Sequence, residues 1–288
     1  MSTPKAILLT LVLLGVGAAA GAALVVWGGL YNVSATEQHF QPVYSMLETA
    51  MRQSVRLRAR GVVPPKLDDE RLVLRGAACF RDKCLQCHGA PGVAQGDIGK
   101  SMQPLPGPLV DARQHWKPRE LYWVTKHGIR MSGMPAWEFR LAEEDLWAVV
   151  AFMERLPDLT PQQYAEVTQA KPVVANSPAA QAACGPPRDT ANAGVPGDVR
   201  RGEKALHQYA CNACHTIPGI TGSSPNVGPP LAGVARRAMI GGKLPNTPDN
   251  MVRWLRRTHE VDPQTAMPEL GVTERDARDI AAYLSTLD

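Results

Sequence analysis

Two segments of the chain combine cysteine and histidine at the same spacing. Residues 84–88 read CLQCH, and residues 211–215 read CNACH. Two thiols three positions apart can add to the two vinyl groups of one porphyrin, and the histidine that follows then directs its imidazole at the iron. The pattern therefore predicts two covalently bound haem c groups, one at each segment. The predicted attachment residues are Cys84, Cys87 and His88 for the first haem, and Cys211, Cys214 and His215 for the second.

Two other uses of paired cysteines fit these segments poorly. A redox dithiol of the thioredoxin type lies near a strand–helix–strand pattern, and neither segment does. A structural zinc ion needs further cysteine or histidine ligands nearby, and neither segment has them. Haem attachment is therefore the predicted chemistry at both segments.

Each haem iron needs a sixth ligand from elsewhere in its unit, and two Met-Pro steps can supply it. Met134 precedes Pro135, and Met267 precedes Pro268. The proline stiffens the backbone and keeps the loop extended, so that the thioether can reach the iron. The nearby Met131 is expected to be an ordinary packing residue. The predicted iron ligands are therefore His88, Met134, His215 and Met267.

Other histidines and methionines are candidate ligands of second rank. Among the histidines, His127 is the nearest rival, because it lies seven residues before Met134. Such histidines are more often surface or packing residues. Met239 and Met251 are expected to lie in the core of the second unit. The histidines outside the two motifs are His39, His115, His127, His207 and His259.

A carbonyl oxygen is expected to orient each iron-binding histidine. The ring nitrogen that does not bind the metal usually donates a hydrogen bond to such a group. Residues 228–231 (GPPL) follow the second motif, and the Pro229 carbonyl is the predicted acceptor for His215. In the first unit, residues 104–109 (PLPGPL) contain several prolines, and the sequence does not decide between them or a plain structural loop.

Helices must hold each motif, and the apolar spacing predicts them on both sides. The first motif is preceded by a helix over residues 72–83 with Gly76 in it, and the first unit ends in an amphipathic helix over 144–152. In the second unit, Gly202 opens the first helix and residues 274–287 form the last. A glycine on one helix lets an aromatic residue of the other approach closely. The predicted fold is mainly α.

These residues carry a resemblance to a known fold. The order Gly-x-x-x-Phe-x-x-x-Cys-x-x-Cys-His, Met-Pro and an aromatic-bearing helix resembles class I cytochrome c, over about two thirds of the chain. The GPPLAG, LPNTP and AMP runs of the second unit resemble cytochrome c domains of haem–copper terminal oxidases. The first unit resembles anchored cytochrome subunits of bacterial respiratory chains. One departure is an extra residue between Gly202 and Cys211, which makes the helix packing of the second unit less regular.

The N-terminal segment predicts a membrane anchor. Residues 6–30 contain no charged side chain, and as a helix they span about 37 Å, which exceeds a hydrocarbon core of about 30 Å. Trp27 and Tyr31 lie at its far end, where interfacial aromatic residues are expected. The alternative is a cleavable signal peptide with a site at residues 18–20 (AAA). The expected location is the bacterial inner membrane, with a single pass and both haem domains in the periplasm.

The chain divides into five predicted parts. Helical spacing and several arginines over residues 41–60 indicate either a solvated stalk helix touching lipid headgroups or a docking helix for a membrane partner. The Pro-, Ala-, Gln-, Thr- and Gly-rich region before the second unit reads as a linker. The parts are a transmembrane anchor (1–31), a juxtamembrane helix or stalk (32–65), the first cytochrome c domain (66–158), the linker (159–198) and the second cytochrome c domain (199–288).

Two cysteines lie outside the motifs. Cys79 belongs to the first unit and Cys184 to the predicted linker. Because an exported protein meets an oxidising compartment, a disulfide that ties the linker to the first unit is one possibility. A free, buried Cys79 is the other.

The resemblance implies an electron carrier that is not itself an enzyme and that serves, or forms part of, a haem–copper terminal oxidase, with a soluble or membrane-bound electron donor. A cytochrome subunit of a periplasmic alcohol or aldehyde dehydrogenase is the alternative. A dihaem peroxidase needs a vacant or displaceable iron position, which the two Met-Pro steps disfavour, and a haem sensor would need a signalling domain.

The chain has 31 Lys+Arg against 27 Asp+Glu, a balance that does not indicate nucleic-acid binding.

Overall fold

The computed structural model describes residues 3–169, 184–185, 195–222, 225 and 227–288, and it is mainly helical. The helices before the second motif are α1 (Thr3–Trp27), α2 (Gln41–Arg58), α3 (Glu70–Lys83), α4 (Leu85–His88), α5 (Asp97–Lys100), α6 (Ala112–His115), α7 (Pro118–His127), α8 (Glu143–Arg155), α9 (Pro161–Gln169) and α10 (Val199–Gln208). The elements after it are β1 (Met239–Ile240), β2 (Leu244–Pro245), α11 (Pro248–Arg256), α12 (Thr258–Val261) and α13 (Glu274–Leu284), with β1 and β2 antiparallel. Short 3₁₀ turns cover Ala59–Gly61, Leu156–Asp158, Cys211–Ala213 and Val234–Arg236.

Helix α1 is long and apolar enough to cross a membrane. Its 25 residues contain no buried side chain, so that its leucines and valines face outward on all sides. Such a surface is unfavourable in water and favourable among lipid chains.

The first unit is built on the crossing of α3 and α8. Gly76 lies at the crossing, where a Cβ atom would collide with the backbone oxygen of Ala148. Because glycine has no side chain, the two helices approach closely, and the rings of Phe80 and Phe152 then meet with centroids 5.3 Å apart. Both phenylalanines are fully buried.

The second unit repeats this crossing with α10 and α13. Gly202 packs against the backbone oxygen of Asp279, and Leu206 and Ile280 are buried beside it. The extra residue found in the sequence is accommodated between α10 and the motif, where Ala210 adopts a left-handed conformation with φ of 55°. The helix crossing is therefore preserved in spite of the insertion.

An arginine–aspartate pair accompanies each crossing glycine and was not predicted from the sequence. Arg75 Nε lies 2.5 Å from Asp145 Oδ1, and Arg201 Nη2 lies 3.0 Å from Asp276 Oδ1. Each arginine directly precedes its glycine, and both aspartates are buried at the start of the last helix of their unit. Burial without a partner would be costly for a carboxylate, so the pair stabilises the crossing.

Part of the predicted linker packs on the first unit. Helix α9 contacts α3, and Tyr164 is buried in the same core. Cys184 forms a disulfide with Cys79, which decides between the two possibilities left by the sequence. The backbone N–H of Cys184 also donates to Asp145 Oδ2 at 3.1 Å. Residues 170–183 and 186–194 of the predicted linker lie outside the described residues.

The predicted stalk also packs on the first unit. Helix α2 contacts α7, and Val55 and the following Ala59 are buried. The guanidinium of Arg52 lies 5.8 Å from the ring centroid of Trp116. The C-terminal half of α2 is therefore continuous with the first haem unit, whereas Met46 and Leu47 in its N-terminal half are exposed.

The crossing glycine of the second unit gives a first stability prediction. We expect Gly202→Ala to lower the free energy of unfolding of the second unit by about 2 kcal/mol or more, since the added methyl group must push α13 away from α10. Thermal unfolding followed by circular dichroism measures this loss. Gly61→Ala is the matched control, because a Cβ atom there meets nothing within 4 Å. Equal midpoints for the two variants would contradict the close crossing.

The disulfide gives a second stability prediction. Cys79 and Cys184 are separated by 105 residues, and closing a loop of this size restricts the unfolded chain strongly. We expect Cys184→Ser to lower the free energy of unfolding of the first unit by about 3 kcal/mol in a denaturant titration. A thiol reductant should lower the free energy of unfolding of the wild-type protein by the same amount as the substitution does. It should not lower that of the variant further. A wild-type curve that is insensitive to the reductant would show that the bridge does not stabilise the fold.

Candidate functional site

The first motif is wound into one helical turn directly after α3. The carbonyl of Cys84 accepts hydrogen bonds from the backbone N–H groups of Cys87 at 3.1 Å and His88 at 3.0 Å. Cys84 is the N-cap residue of the short helix α4, and Cys87 and His88 lie within that helix. Cys84 is buried and Cys87 is half-buried, and both are free thiols.

The second motif has the same backbone arrangement. The carbonyl of Cys211 accepts from the N–H groups of Cys214 at 3.2 Å and His215 at 2.9 Å. Both cysteines are half-buried free thiols. In the described part of the chain, the four motif cysteines remain unpaired while Cys79 and Cys184 are bridged, as expected if the motif thiols are reserved for thioether bonds.

A backbone carbonyl orients each motif histidine. His88 Nδ1 lies 2.7 Å from the Gly107 oxygen, and His215 Nδ1 lies 2.8 Å from the Pro229 oxygen. With Nδ1 as the donor, Nε2 carries a free lone pair for a metal. Pro229 is the acceptor predicted from the sequence. In the first unit the acceptor falls within the predicted 104–109 loop, but it is a glycine and not one of the prolines.

Gly228 packs against the histidine of the second motif, His215. A Cβ atom on Gly228 would lie 2.5 Å from Cε1 and 2.7 Å from Nδ1 of His215, so the imidazole ring packs directly against this glycine. The N–H of Gly228 also donates to the Cys214 carbonyl at 2.8 Å. The loop that supplies the Pro229 carbonyl is thus tied to the motif itself.

In the first unit a glutamine side chain makes the corresponding link. Gln95 Nε2 donates to the carbonyls of Cys87 at 2.8 Å and Pro106 at 2.6 Å. It therefore joins the motif to the loop whose next residue, Gly107, accepts from His88. Nothing in its sequence surroundings marks Gln95, because both of its partners are backbone atoms.

Burial sets the protonation of the motif side chains. It raises the pKa of Cys84 to about 12 and that of Cys211 to about 11, so both remain protonated thiols at neutral pH. A reactive redox dithiol needs a lowered thiol pKa, which these buried cysteines do not have. Burial also lowers the pKa of His88, in spite of its bond to Gly107, which favours the neutral imidazole that binds iron.

No protein-only metal site competes for these residues. Within the residues that the structure describes, no three His, Cys, Asp or Glu side chains are grouped to hold a metal ion. A haem supplies four ring nitrogens of its own, so that one histidine and one further ligand per unit suffice. The donor set of each unit therefore fits a haem and does not fit zinc.

The two methionines of the Met134 loop differ in exposure. Met131 has a positive φ of 60° and is 93% exposed, which differs from its expected packing role. Met134 is half-buried, and its N–H donates to Ser132 Oγ at 3.2 Å. The Met102 thioether, which was not predicted from the sequence, packs directly on Gly133. The structure thus brings a second sulfur next to the Met134 loop.

The loop around Met267 uses the same device. The Met267 N–H donates to Thr265 Oγ1 at 3.3 Å, and Met267 packs against the second core. A hydroxyl residue two positions before each methionine was a sequence signal that the prediction did not use. Met251 is buried in the core as expected, whereas Met239 is exposed in β1 and its predicted core position is wrong.

The nearest rival ligand, His127, is engaged elsewhere. Its Nδ1 lies 3.6 Å from Glu138 Oε2, and its ring lies 4.9 Å from the ring of Trp123. These contacts describe a histidine in an ionic and aromatic cluster and give it no link to the motif of its unit.

Comparison with known families matches each unit separately. Residues 71–153 match the family described as "Cytochrome C oxidase, cbb3-type, subunit III". Residues 199–288 match the family described as "Cytochrome c". The two matches contain both motifs and both Met-Pro steps. No curated protein matches the chain.

Proposed function

Since the chain contains two cytochrome c domains, the first of the type found in subunit III of cbb3-type oxidases, we propose that it is a membrane-anchored dihaem electron carrier for a haem–copper terminal oxidase. One observation carries the electron-transfer proposal. In both units a histidine is held by a carbonyl through Nδ1, and a Met-Pro loop with a hydroxyl-bonded N–H lies in the same unit. The same two features, a carbonyl-bound histidine and a hydroxyl-bound Met-Pro loop, occur in both units and support two sites of one kind.

The proposed ligands leave little room for catalysis at the iron. A bound haem supplies one-electron chemistry, in which the iron changes only its charge. His88 with Met134 and His215 with Met267 would each hold one haem iron, and two protein ligands per iron would disfavour the binding of peroxide or another small molecule. Cys84, Cys87, Cys211 and Cys214 would hold the porphyrins, and the surrounding side chains would exclude water and tune the potential.

We propose that α1 remains in the membrane and that both units face the periplasm. The outward-facing apolar side chains of α1 support the first point. The Cys79–Cys184 disulfide supports the second, since such bonds persist mainly in oxidising compartments. An anchored carrier diffuses in two dimensions, which raises its effective concentration near a membrane partner.

The family match of the first unit favours an oxidase over a dehydrogenase as partner. The test is affinity purification of the full-length chain from native membranes in mild detergent. We expect a copper- and haem-containing oxidase to co-purify, and oxygen uptake by the complex to require the chain. Co-purification of a quinoprotein or flavin dehydrogenase without an oxidase would reject the oxidase assignment.

A matched variant separates electron transfer from assembly in this test. His215→Ala removes a proposed iron ligand in the second unit and leaves the first unit and α1 unchanged. We expect it to co-purify with the partner but to support little oxygen uptake. Normal oxygen uptake with this variant would show that electrons do not pass through the second unit.

A further inference from the structure

The two units touch through a segment that follows the Met134 loop. We name residues 137–140 (WEFR) the clamp. Phe139 belongs to the first unit by sequence, yet it is 1% exposed and packs in the core of the second unit. Its ring meets the ring of Tyr209 nearly edge-on, with centroids 6.3 Å apart. An apolar anchor of the first unit is therefore buried in the second.

The clamp backbone is held by the first unit. The N–H of Trp137 donates to the Thr125 carbonyl at 3.2 Å, and the N–H of Glu138 donates to the Lys126 carbonyl at 3.0 Å. Both acceptors lie in α7. The backbone of the clamp is thus fixed on one unit while the Phe139 side chain enters the other.

Arg140 adds a polar contact to the same surface. Its guanidinium donates to the Gln208 carbonyl at 2.5 Å and lies 4.6 Å from the ring centroid of Tyr209. A guanidinium above an aromatic face is attractive, and the carbonyl satisfies one of its N–H groups. Arg140 and Phe139 therefore both contact the ring of Tyr209.

Arg201 completes the contact from the second unit. Its guanidinium is held by Asp276 at 3.0 Å and Asp279 at 3.1 Å, and it lies 3.6 Å from Glu138 Oε1. It also lies 4.6 Å from the ring centroid of Phe139. The acids of α13 orient this arginine toward the clamp, so that charge complementarity joins the apolar anchor.

The equivalent position in the first unit is covered differently. Arg75 occupies the place of Arg201 before the crossing glycine, and its partner Asp145 accepts from the N–H of Cys184. There the disulfide-bound part of the predicted linker covers the pair. In the second unit the clamp covers the corresponding pair of Arg201 and Asp276. The contact between the units therefore occupies the place that the disulfide-bound segment occupies in the first unit.

The clamp and its contact residue Tyr209 each lie close in sequence to one haem site. Phe139 follows Met134 by five residues, and Tyr209 precedes Cys211 by two. The contact therefore joins the loop of one proposed axial ligand to the attachment motif of the other haem. The Phe139–Tyr209 contact thus lies at the boundary between the two haem units.

We propose that the clamp fixes the two haem units in one arrangement and that Phe139 and Arg140 are positioning residues for electron exchange between the haems. This proposal rests on the proposed electron-carrier function. Without the clamp, the Phe139 anchor and the contacts of Arg140 and Arg201 between the described parts of the two units would be lost. The distance between the haems would then vary, and electron exchange would be slowed by the time spent apart.

The test compares Phe139→Ala and Arg140→Gln with the wild-type protein, each as the full-length dihaem chain in detergent. Pulsed electron paramagnetic resonance of the two ferric haems measures their distance distribution. We expect one narrow distribution in the wild-type protein and a broad one in Phe139→Ala, with the open population increased on the order of 10- to 100-fold. Arg140→Gln should broaden the distribution less.

A second readout follows electron exchange within the molecule after flash reduction. We expect the fast phase to lose most of its amplitude in Phe139→Ala, while the absorption spectrum of each haem stays unchanged. Phe40→Ala is the matched control, since Phe40 is exposed and belongs to neither core. It should leave both readouts unchanged.

The outcomes separate this proposal from the proposed function. If the distance distributions of both clamp variants overlay the wild type, the clamp does not hold the units and the proposal is wrong, whatever the partner. If Phe139→Ala loses the spectrum of the second haem, Phe139 supports folding, and Arg140→Gln then decides. A partner other than an oxidase would reject the proposed function and leave the distance measurement unaffected.

Discussion

A chain with Cys84→Ala and Cys87→Ala together is expected to carry one haem in place of two. Each motif forms its own turn after a helix of its own unit, and the two histidines have separate carbonyl partners, Gly107 and Pro229. The loss of one attachment site should therefore leave the other haem in place. Haem content per protein, from the pyridine haemochrome spectrum and the intact mass, measures the result.

The chain offers a matched control for this double substitution. Cys79→Ala with Cys184→Ala also removes two cysteines, but these form the disulfide. This variant should be less stable and still carry two haems. The mirror variant at Cys211 and Cys214 should retain only the first haem. Two haems in the variant that lacks Cys84 and Cys87 would refute attachment at the first motif.

Replacing either proposed sulfur ligand by histidine is expected to change one haem only. Thioether ligation raises the potential of a haem, and axial ligands set potentials over a span of about 0.8 V. We expect Met134→His and Met267→His each to lower one midpoint potential by on the order of 0.1–0.3 V within that span. Each should also remove the sulfur-to-iron charge-transfer absorption of one haem. Spectroelectrochemical titration measures both effects in one experiment.

Two neighbouring methionines control for the position of the sulfur. Met131 is almost fully exposed, so Met131→Leu should leave both potentials unchanged. Met102 packs on Gly133 beside the proposed ligand, and Met102→Leu should retain both charge-transfer bands. If Met134→His keeps both bands and Met102→Leu loses one, the first haem takes its sulfur from Met102.

Because two protein ligands are proposed for each iron, the protein around each haem determines its function more than any reaction at the iron does. An electron carrier works by position and potential, which depend on burial and on fixed distances. The crossing helices supply the burial, and the clamp supplies the fixed relation between units. A loose chain with the same two motifs would bind haem and still transfer electrons poorly between them.

The sequence alone determined the parts of the protein whose chemistry is local. Two thiols and a histidine within five residues predict haem attachment independently of the rest of the fold, and an uncharged run of 25 residues predicts an apolar helix. The mainly helical fold with two cytochrome c domains was predicted and is confirmed. The attachment cysteines and the iron ligands stay predictions that the two substitution series test.

Only the tertiary structure decided which distant residues meet. The sequence left the Cys79–Cys184 bridge open and the carbonyl partner of His88 undecided, and it assigned Phe139 to the first unit. In the structure the bridge forms, Gly107 accepts from His88, and Phe139 is buried in the second core. Such contacts depend on how helices far apart in the chain pack against each other, and no spacing within one segment encodes that packing.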